Sequence, residues 1–353
     1  MERTVGKYLK STFIIIVFII ITVFFTSCTK KCTQPVVVEE FCMGTWVTVK
    51  AYGDGAKEAV DKVFDRIREI ERKMTINSPG GEINELNEKA GSVGVKLSSD
   101  TMYVIEKALL YSKQSLGAFD ITIGPLVKEW GVYTSNPKVP SEDEIRNLLN
   151  LVGYSDLIID KDNGTAMLRK EGQIVDLGGI AKGYAGDEAV RILKEHGIKS
   201  ACVDIGGNVV LLGKKPDGSN WLVGVQNPRG VSGSHICILE LSDKTIVTSG
   251  DYERYFVKDN IKYHHIIDPR TGYPAKSGLL SATIVTEKSI DADALSTAVF
   301  VLGLDEGMKL VNSLDGVDAV VITEDKKVYV TDGLKGAFTM DDYSGEYEYV
   351  EKR

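Results

Sequence analysis

The chain has 353 residues, of which 43% are hydrophobic and 35 are glycine, and its formal net charge is −8. This length and hydrophobic content fit a globular protein with a substantial core, in one large domain or two small ones. The acidic balance, without a basic stripe interleaved with aromatic residues, argues against nucleic acid as a partner.

The N-terminal segment is typical of a secretory signal peptide. Positive residues precede an apolar run over residues 13–25, and small residues lead into Cys28. An uncleaved membrane anchor normally needs about 20 apolar residues, and this run is shorter. The ending Thr-Ser-Cys resembles a bacterial lipobox, with phenylalanine where that pattern usually has leucine. We therefore expect a signal peptide over 1–27 and a lipidated Cys28 that begins a tether over 28–40.

The rest of the chain predicts an α+β fold: a single large domain over 41–338, with a mostly antiparallel sheet flanked by helices. Apolar periodicity predicts helices over Ala56–Met74, 99–116, 289–303 and 305–314. A further short helix is predicted from the capping box of Ser141 and Glu144 to about residue 153, and another from the Gly-Gly turn to residue 196. Alternating runs predict strands over 45–51, 157–159, 165–169, 173–177, 201–204, 221–225, 235–241, 252–257, 261–267, 278–285, 318–322 and 328–331. The polar, acidic tail over 339–353 is expected to be loose.

The predicted helix over 289–303 carries the first candidate site. Asp293 and Thr297 are four residues apart, so their side chains share one face of the helix. Carboxylate and hydroxyl oxygens suit a hard cation such as Mg²⁺. The alternative is a capped helix, in which Asp291 and Asp293 only complement the positive end of the helix dipole.

The glycine turn within residues 176–187 is a second candidate. Gly178 and Gly179 lie between a predicted strand and a predicted helix, where backbone groups are exposed and the helix N-terminus attracts phosphate. Lys182 can add positive charge in the first helical turn. The segment contains neither G-x-G-x-x-G nor a Walker A motif, so a purely structural turn is the alternative.

Two further segments combine side chains suited to binding or proton transfer. In 117–127, Phe119 and Asp120 could stack on a ring system and hydrogen-bond to it; the alternative is a core phenylalanine and a turn aspartate. In 264–274, His264 and His265 are adjacent, so on a strand they face opposite sides. One of the two histidines is therefore expected to be structural.

Seven segments in this order resemble the ApbE family, the FAD:protein FMN transferases. They are Met43-Gly44-Thr45, 117–127, 176–187, 204–208, 248–252, 265–272 and 293–297. Family members are commonly bacterial lipoproteins, which agrees with the lipidated cysteine expected above.

The resemblance implies a set of site residues. The FAD contacts it implies are Met43, Ala118, Phe119, Asp120, Asp176, Lys182 and Ile267. The metal ligands it implies are Gly179 through its backbone carbonyl, Asp293 and Thr297. Asn77 stands about where the family often has an aromatic residue that packs on the flavin, a departure that bears on flavin affinity more than on metal binding.

The implied reaction is Mg²⁺-dependent transfer of FMN from FAD to a threonine or serine hydroxyl of an acceptor flavoprotein, with AMP as the leaving group; Mn²⁺ is an alternative metal. We expect His265 to accept the hydroxyl proton near an unperturbed pKa of about 6.5, with Asp268 orienting its ring. The expected partners are FAD, a membrane or secreted redox flavoprotein, and the membrane through a lipid anchor, with the domain on the extracytoplasmic side. The alternatives are a metal-dependent FAD pyrophosphatase and a non-enzymatic flavin-binding lipoprotein.

Overall fold

The computed structural model describes residues 34–76, 79–231 and 233–351. The expected signal peptide, Cys28 and Asn77 lie outside the described residues. In these ranges no helix combines the length and the apolar character that crossing a bilayer requires.

The described residues form eight α-helices. They are α1 (Ala56–Met74), α2 (Glu82–Glu88), α3 (Ser99–Gln114), α4 (Gly124–Trp130), α5 (Glu142–Leu149), α6 (Ala181–Glu195), α7 (Ser289–Leu302) and α8 (Leu304–Asn312). Helix α1 is amphipathic, with Val60, Val63 and Ile67 buried on one face. The predicted capping box of α5 is confirmed, because the Glu144 N–H donates to the Ser141 hydroxyl at 3.3 Å.

Seventeen strands form four sheets in the same ranges. Their bounds are β1 (Val36–Cys42), β2 (Thr45–Tyr52), β3 (Val95–Lys96), β4 (Leu157–Asp160), β5 (Thr165–Leu168), β6 (Ser200–Ile205), β7 (Asn208–Leu212), β8 (Trp221–Gln226), β9 (His235–Leu241), β10 (Thr245–Gly250), β11 (Tyr255–Lys258), β12 (Ile261–His264), β13 (Leu279–Thr286), β14 (Asp318–Thr323), β15 (Lys327–Val330), β16 (Phe338–Met340) and β17 (Glu348–Val350). The main sheet has nine strands in the order β1-β2-β6-β7-β10-β13-β14-β15-β17, and the smaller sheets are β16-β9-β8, β3-β5-β4 and the hairpin β11-β12. Among the strand pairs described, β15 with β17 is parallel and the others are antiparallel, which confirms the predicted α+β class.

Both faces of the main sheet are covered. Along β14, Ala319 and Val321 belong to the core shared with the helices, while Val320 and Ile322 belong to a second core shared with the sheet β16-β9-β8. This alternation follows from the two-residue period of a strand. Helix α7 packs against β10 and β13 on one side and α6 on another, so it is buried on nearly all sides and its sequence is apolar around most of its circumference.

The structure contains helices α2 and α4 and strands β3, β7 and β10, which the sequence analysis does not predict. Three predicted segments also differ in kind from the prediction. Residues 36–40, expected to belong to the tether, form most of β1, which pairs with β2 along its length. The tail is not loose over 348–350, because β17 pairs with β15 and the ring of Tyr347 is buried in the second core. The strand predicted over 173–177 is wrong: only an isolated bridge joins Ile174 to Ile123.

Candidate active site

Helices α6 and α7 cross in direct contact at Gly183. A Cβ atom on Gly183 would lie 2.4 Å from the carbonyl oxygen of Ser289 and 2.7 Å from the Cβ of Asp293. Only glycine lets the two backbones approach this closely. At the crossing the Gly183 N–H donates to Oδ2 of Asp293 at 2.8 Å. The contact therefore fixes the carboxylate of Asp293, which is 3% exposed.

The three predicted metal ligands converge beside this crossing. Thr297 lies one helical turn after Asp293, and a Cβ on Gly179 would be 3.7 Å from the Thr297 hydroxyl and 3.2 Å from the ring of Phe119. The ammonium group of Lys182 lies 3.4 Å from Oδ1 of Asp293. The glycine turn and α7 thus bring a carboxylate, a hydroxyl, a backbone segment and one cation together.

The donor chemistry of this site fits a hard cation. The predicted ligands are all oxygens, and Mg²⁺ characteristically takes one or two carboxylates and completes its shell with water and substrate phosphates. Through 34–76, 79–231 and 233–351, no group of three or more His, Cys, Asp or Glu side chains is arranged to hold a metal. The predicted set contains a single carboxylate, so it belongs to the kind of site in which the substrate supplies further oxygens.

Asp291 lies in the first turn of α7, where its charge complements the helix dipole, but neither Asp291 nor Asp293 supplies the capping hydrogen bonds. Asp187 caps α7 instead, because its carboxylate accepts from the N–H of Ser289 at 2.8 Å and of Ile290 at 3.1 Å. Asp291 forms an ion pair with Lys107 at 2.8 Å. This leaves Asp293 as the acidic side chain of α7 that faces the glycine turn.

Hydroxyl groups beside Thr297 are not evident from the sequence. The Ser249 hydroxyl, near the end of β10, lies 3.2 Å from the Thr297 hydroxyl and 2.9 Å from the Ser296 hydroxyl. Ser296 in turn donates to the carbonyl of Asp293 at 2.9 Å. Ser249 does lie in the Thr-Ser-Gly-Asp-Tyr segment, which is one of the seven segments that carry the resemblance described above. The composition of this segment alone predicts only a turn.

The carboxylate of Asp120 accepts hydrogen bonds from within the fold. Its Oδ1 accepts from the N–H and hydroxyl of Thr122 at 2.8 and 2.7 Å, and its Oδ2 accepts from the N–H of Tyr154 at 2.8 Å. Burial raises the pKa of Asp120, and these hydrogen bonds oppose that shift. The structural alternative therefore holds for this carboxylate, and the neighbouring Ala118 is 1% exposed.

Asp176 lies at the start of the glycine turn with a less satisfied carboxylate. Its Oδ1 accepts from the Gly178 N–H at 2.8 Å. Burial raises the pKa of Asp176 against this single hydrogen bond. The pKa of Tyr133 is also raised, by burial first and then by the negative charge of Asp176, so the two groups lie near each other.

His265 lies beside Tyr133, just beyond β12. Its Nδ1 lies 3.2 Å from the carbonyl oxygen of Arg254, and its ring meets the ring of Tyr133 edge to face at 5.7 Å. Burial lowers the pKa of His265 to about 4, and the positive charge of Lys182 contributes to the shift. The expectation of an unperturbed pKa is wrong, because the imidazole is desolvated and lies near cationic groups.

The adjacent residues have other roles. His264 is 7% exposed, and its Nε2 lies 3.0 Å from the carbonyl of Ala275, so it is the structural member of the histidine pair. The expectation that Asp268 orients His265 is wrong. The two carboxylate oxygens of Asp268 accept from the guanidinium of Arg270, each at 2.8 Å, and the ring of His265 faces a backbone carbonyl instead.

The two remaining predicted flavin contacts, Met43 and Ile267, lie in different parts of the fold. Met43 lies in the β1–β2 turn at φ 52°, where its N–H donates to Glu71 at 2.8 Å. The guanidinium of Arg254 donates to the carbonyl of Gly44 at 2.8 Å, so this turn is tied to the segment that holds His265. The side chain of Ile267 is 6% exposed and packs in a separate apolar cluster with Trp130, away from the glycine turn.

An α+β domain with this topology has known counterparts. The chain belongs to the ApbE family, whose sequence profile matches residues 43–321. It is 34% identical over 312 residues to the FAD:protein FMN transferase of Treponema pallidum, covering 84% of this chain and 86% of the relative. It is 32% identical over 289 residues to a FAD:protein FMN transferase of Klebsiella pneumoniae, covering 82% and 89%.

Solved structures show the same fold. The crystal structure of the ApbE protein of Thermotoga maritima superposes with a TM-score of 0.80 at 34% identity, covering 86% of this chain and 99% of the other. The flavin transferase ApbE of Vibrio cholerae superposes with a TM-score of 0.78 at 28% identity, again covering 86% and 99%. The mixed α/β domain with its large, mostly antiparallel sheet is therefore the ApbE fold.

Proposed function

We propose that this protein is a FAD:protein FMN transferase, which moves FMN from FAD to a threonine or serine hydroxyl of an acceptor flavoprotein and releases AMP. The observation that carries the proposal is the convergence of Gly179, Asp293 and Thr297 beside Lys182, whose positive charge also acts on His265. Relatives that match over more than four fifths of the chain bear that name.

In the proposed reaction the acceptor hydroxyl attacks the phosphorus of the FMN half of FAD. A new phosphoester bond forms, the pyrophosphate bond breaks, and AMP leaves with the bridging oxygen. Mg²⁺ held by Asp293, Thr297 and the carbonyl of Gly179 would neutralise charge on the pyrophosphate, and Mn²⁺ suits the same oxygen donors. Lys182 and the N-terminus of α6 add positive potential at the same place.

His265 is proposed to accept the hydroxyl proton. A carbonyl oxygen can only accept a hydrogen bond, so the contact with Arg254 places the ring proton on Nδ1 and leaves the lone pair of Nε2 available. Because the pKa of His265 is lowered to about 4, the ring is neutral at pH 7 and ready to act as a base. The positive charge of Lys182, which lowers that pKa, also favours loss of the hydroxyl proton nearby.

The location is proposed from the N-terminal segment. A lipidated Cys28 would hold the protein at the cell membrane, with the domain on the extracytoplasmic side. Redox flavoproteins of the membrane or the secreted space are then the acceptors that it meets.

The proposal is tested by mixing the full-length chain with FAD and Mg²⁺, with and without flavin-free redox proteins from the same membrane. A transferase releases AMP in step with covalent flavin fluorescence on the acceptor. Release of FMN and AMP without an acceptor, and no covalent flavin with one, would identify a FAD pyrophosphatase. Bound, unchanged FAD in both mixtures would identify a flavin-binding lipoprotein and refute the enzymatic proposal.

A further inference from the structure

An exposed aromatic pair lies on the first two strands of the main sheet. Phe41 of β1 and Trp46 of β2 are 64% and 60% exposed, and they are directly opposite each other in the strand register. Their ring centroids are 5.6 Å apart in an edge-to-face arrangement. Val37, four residues before Phe41 and therefore on the same face of β1, is also exposed. We refer to these three side chains as the aromatic face.

The aromatic face lies outside both cores of the described residues. Val47 and Val49 of β2 point into the core shared with the helices, so Trp46 and its neighbours point to the opposite side of the sheet. On that side the second core reaches Tyr52, whose ring lies 6.3 Å from the ring of Trp221, and neither core includes the three side chains of the aromatic face. Because β1 is the edge strand, the pair is left open at the side of the sheet. Clustered exposed apolar side chains mark interaction sites.

The expected lipid anchor selects a bilayer as the surface that this face meets. Seven residues lie between Cys28 and Val36 in the sequence, so β1 begins within roughly 28 Å of the lipid. A domain of this length is about 50 Å across. The side of the domain opposite β1 therefore cannot reach the bilayer while the anchor is in place, whereas a face on β1 itself can.

The side chains suit the head-group layer. Tryptophan and other rings with one polar edge are enriched at the interface between membrane and water. Glu39 and Lys50 share this face of β1 and β2, and Asp204 of β6 lies on its continuation. Phospholipid head groups present phosphate and amine groups, which pair with either sign of charge. The aromatic rings, and not a net charge, are therefore the basis for the choice of a lipid surface.

We propose that the aromatic face lies on the bilayer, with the rings of Phe41 and Trp46 in the head-group layer, so that this face and the lipid anchor together hold the domain in one orientation. The turn at Met43 joins the strands that carry the two rings, so this predicted FAD contact would lie close to the membrane surface. The inference rests on the proposed location, because it needs the lipid at Cys28.

The test uses the full-length, lipidated chain in vesicles of phosphatidylethanolamine and phosphatidylglycerol, prepared with and without acyl chains brominated next to the head group. Bromine quenches tryptophan fluorescence on contact. Of the three tryptophans in the chain, Trp130 and Trp221 are buried, so Trp46 is the exposed reporter. We expect the brominated vesicles to lower the Trp46 emission by about twofold, because a ring at the boundary between head groups and acyl chains contacts the bromine atoms. Trp46→Phe should remove this loss, since the fold shields the two remaining indole rings.

Two matched comparisons show whether the contact is specific to the aromatic face. Leu110→Trp in a Trp46→Phe chain moves the exposed indole to α3, on the helix side of the main sheet, where it should not be quenched. Val37→Asp places a charge on the aromatic face and should reduce the quenching of Trp46. Val93→Asp, in the loop before β3, should leave it unchanged, and Val37 and Val93 are both 54% exposed. FMN transfer in detergent, where no bilayer is present, should be the same in all these variants and the parent.

The outcomes are distinguishable. A parent that carries lipid and sediments with the vesicles, but whose Trp46 is not quenched, would overturn the inference and leave the anchor and the transfer reaction intact. Equal quenching of the Leu110→Trp chain would also overturn it, because the domain would then have no fixed orientation. A cross-linked dimer whose Trp46 is shielded from both bromine and aqueous acrylamide would assign the aromatic face to a second copy instead. A parent without lipid at Cys28 refutes the anchor and the inference with it, while FMN transfer in detergent tests the proposed activity separately.

Discussion

Replacing Gly183 by alanine should destabilise the fold through the crossing of α6 and α7. The added Cβ would lie 2.4 Å from the carbonyl oxygen of Ser289, whereas ordinary contact begins at 3.4 Å. The helices must therefore separate by about 1 Å in a region packed at the density of an organic crystal. Strain of this kind costs about 1–3 kcal/mol.

The same shift lengthens the 2.8 Å hydrogen bond from the Gly183 N–H to the buried carboxylate of Asp293. A hydrogen bond to a charged group contributes about 1.5–3 kcal/mol, so we expect a total loss of about 3 kcal/mol in the free energy of unfolding. Urea titration followed by tryptophan fluorescence measures it. Gly336→Ala is the matched control, since a Cβ there meets nothing within 4 Å. If Gly183→Ala were as stable as Gly336→Ala, the crossing would not depend on glycine.

Three further predictions concern the proposed site and anchor. His265→Asn should lower FMN transfer by about 10²–10⁴-fold with little change in FAD affinity. The parent rate should fall as the pH drops through about 4, because the protonated imidazole cannot accept a proton, and the rate of the variant should not show this dependence. Normal transfer by the variant would refute the role of His265. Asp293→Ala should abolish both transfer and Mn²⁺ binding measured by electron paramagnetic resonance, and transfer by the metal-stripped variant would contradict a metal role. Cys28→Ser should leave an unlipidated precursor, so unchanged lipid labelling would exclude Cys28 as the modified residue.

The sequence predicts that Asp293, Thr297 and the glycine turn can come together because much of this geometry is local. Asp293 and Thr297 share a helix face at a spacing of four, and a glycine turn before a helix needs few long-range contacts to take shape. Strands and helices with strong periodicity, such as α1, are also predicted correctly for this reason. The pairing of the glycine turn with α7 is the long-range part of the site, and it follows from the order of the family motifs along the chain.

The errors arise where a neighbour distant in sequence decides the outcome. The carboxylate of Asp268 pairs with Arg270 and does not contact His265. The sequence does not show that the ring of His265 faces the carbonyl of Arg254, just before β11. The shift of the His265 pKa depends on desolvation, which follows from tertiary packing. The prediction of a loose tail rests on its acidic composition, whereas the buried ring of Tyr347 decides its order.

The position of Met43 limits how far from the membrane the predicted FAD site can lie. Val36 lies eight residue steps after Cys28, and an extended chain spans at most about 3.5 Å per residue, or roughly 28 Å. Strand β1 adds about 23 Å before the turn at Met43. An acylated Cys28 would act as a tether that keeps Met43, a predicted FAD contact, within about 50 Å of the lipid surface. Only acceptor hydroxyl groups within that distance of the bilayer could then be modified, so the length of the tether would itself select among acceptors.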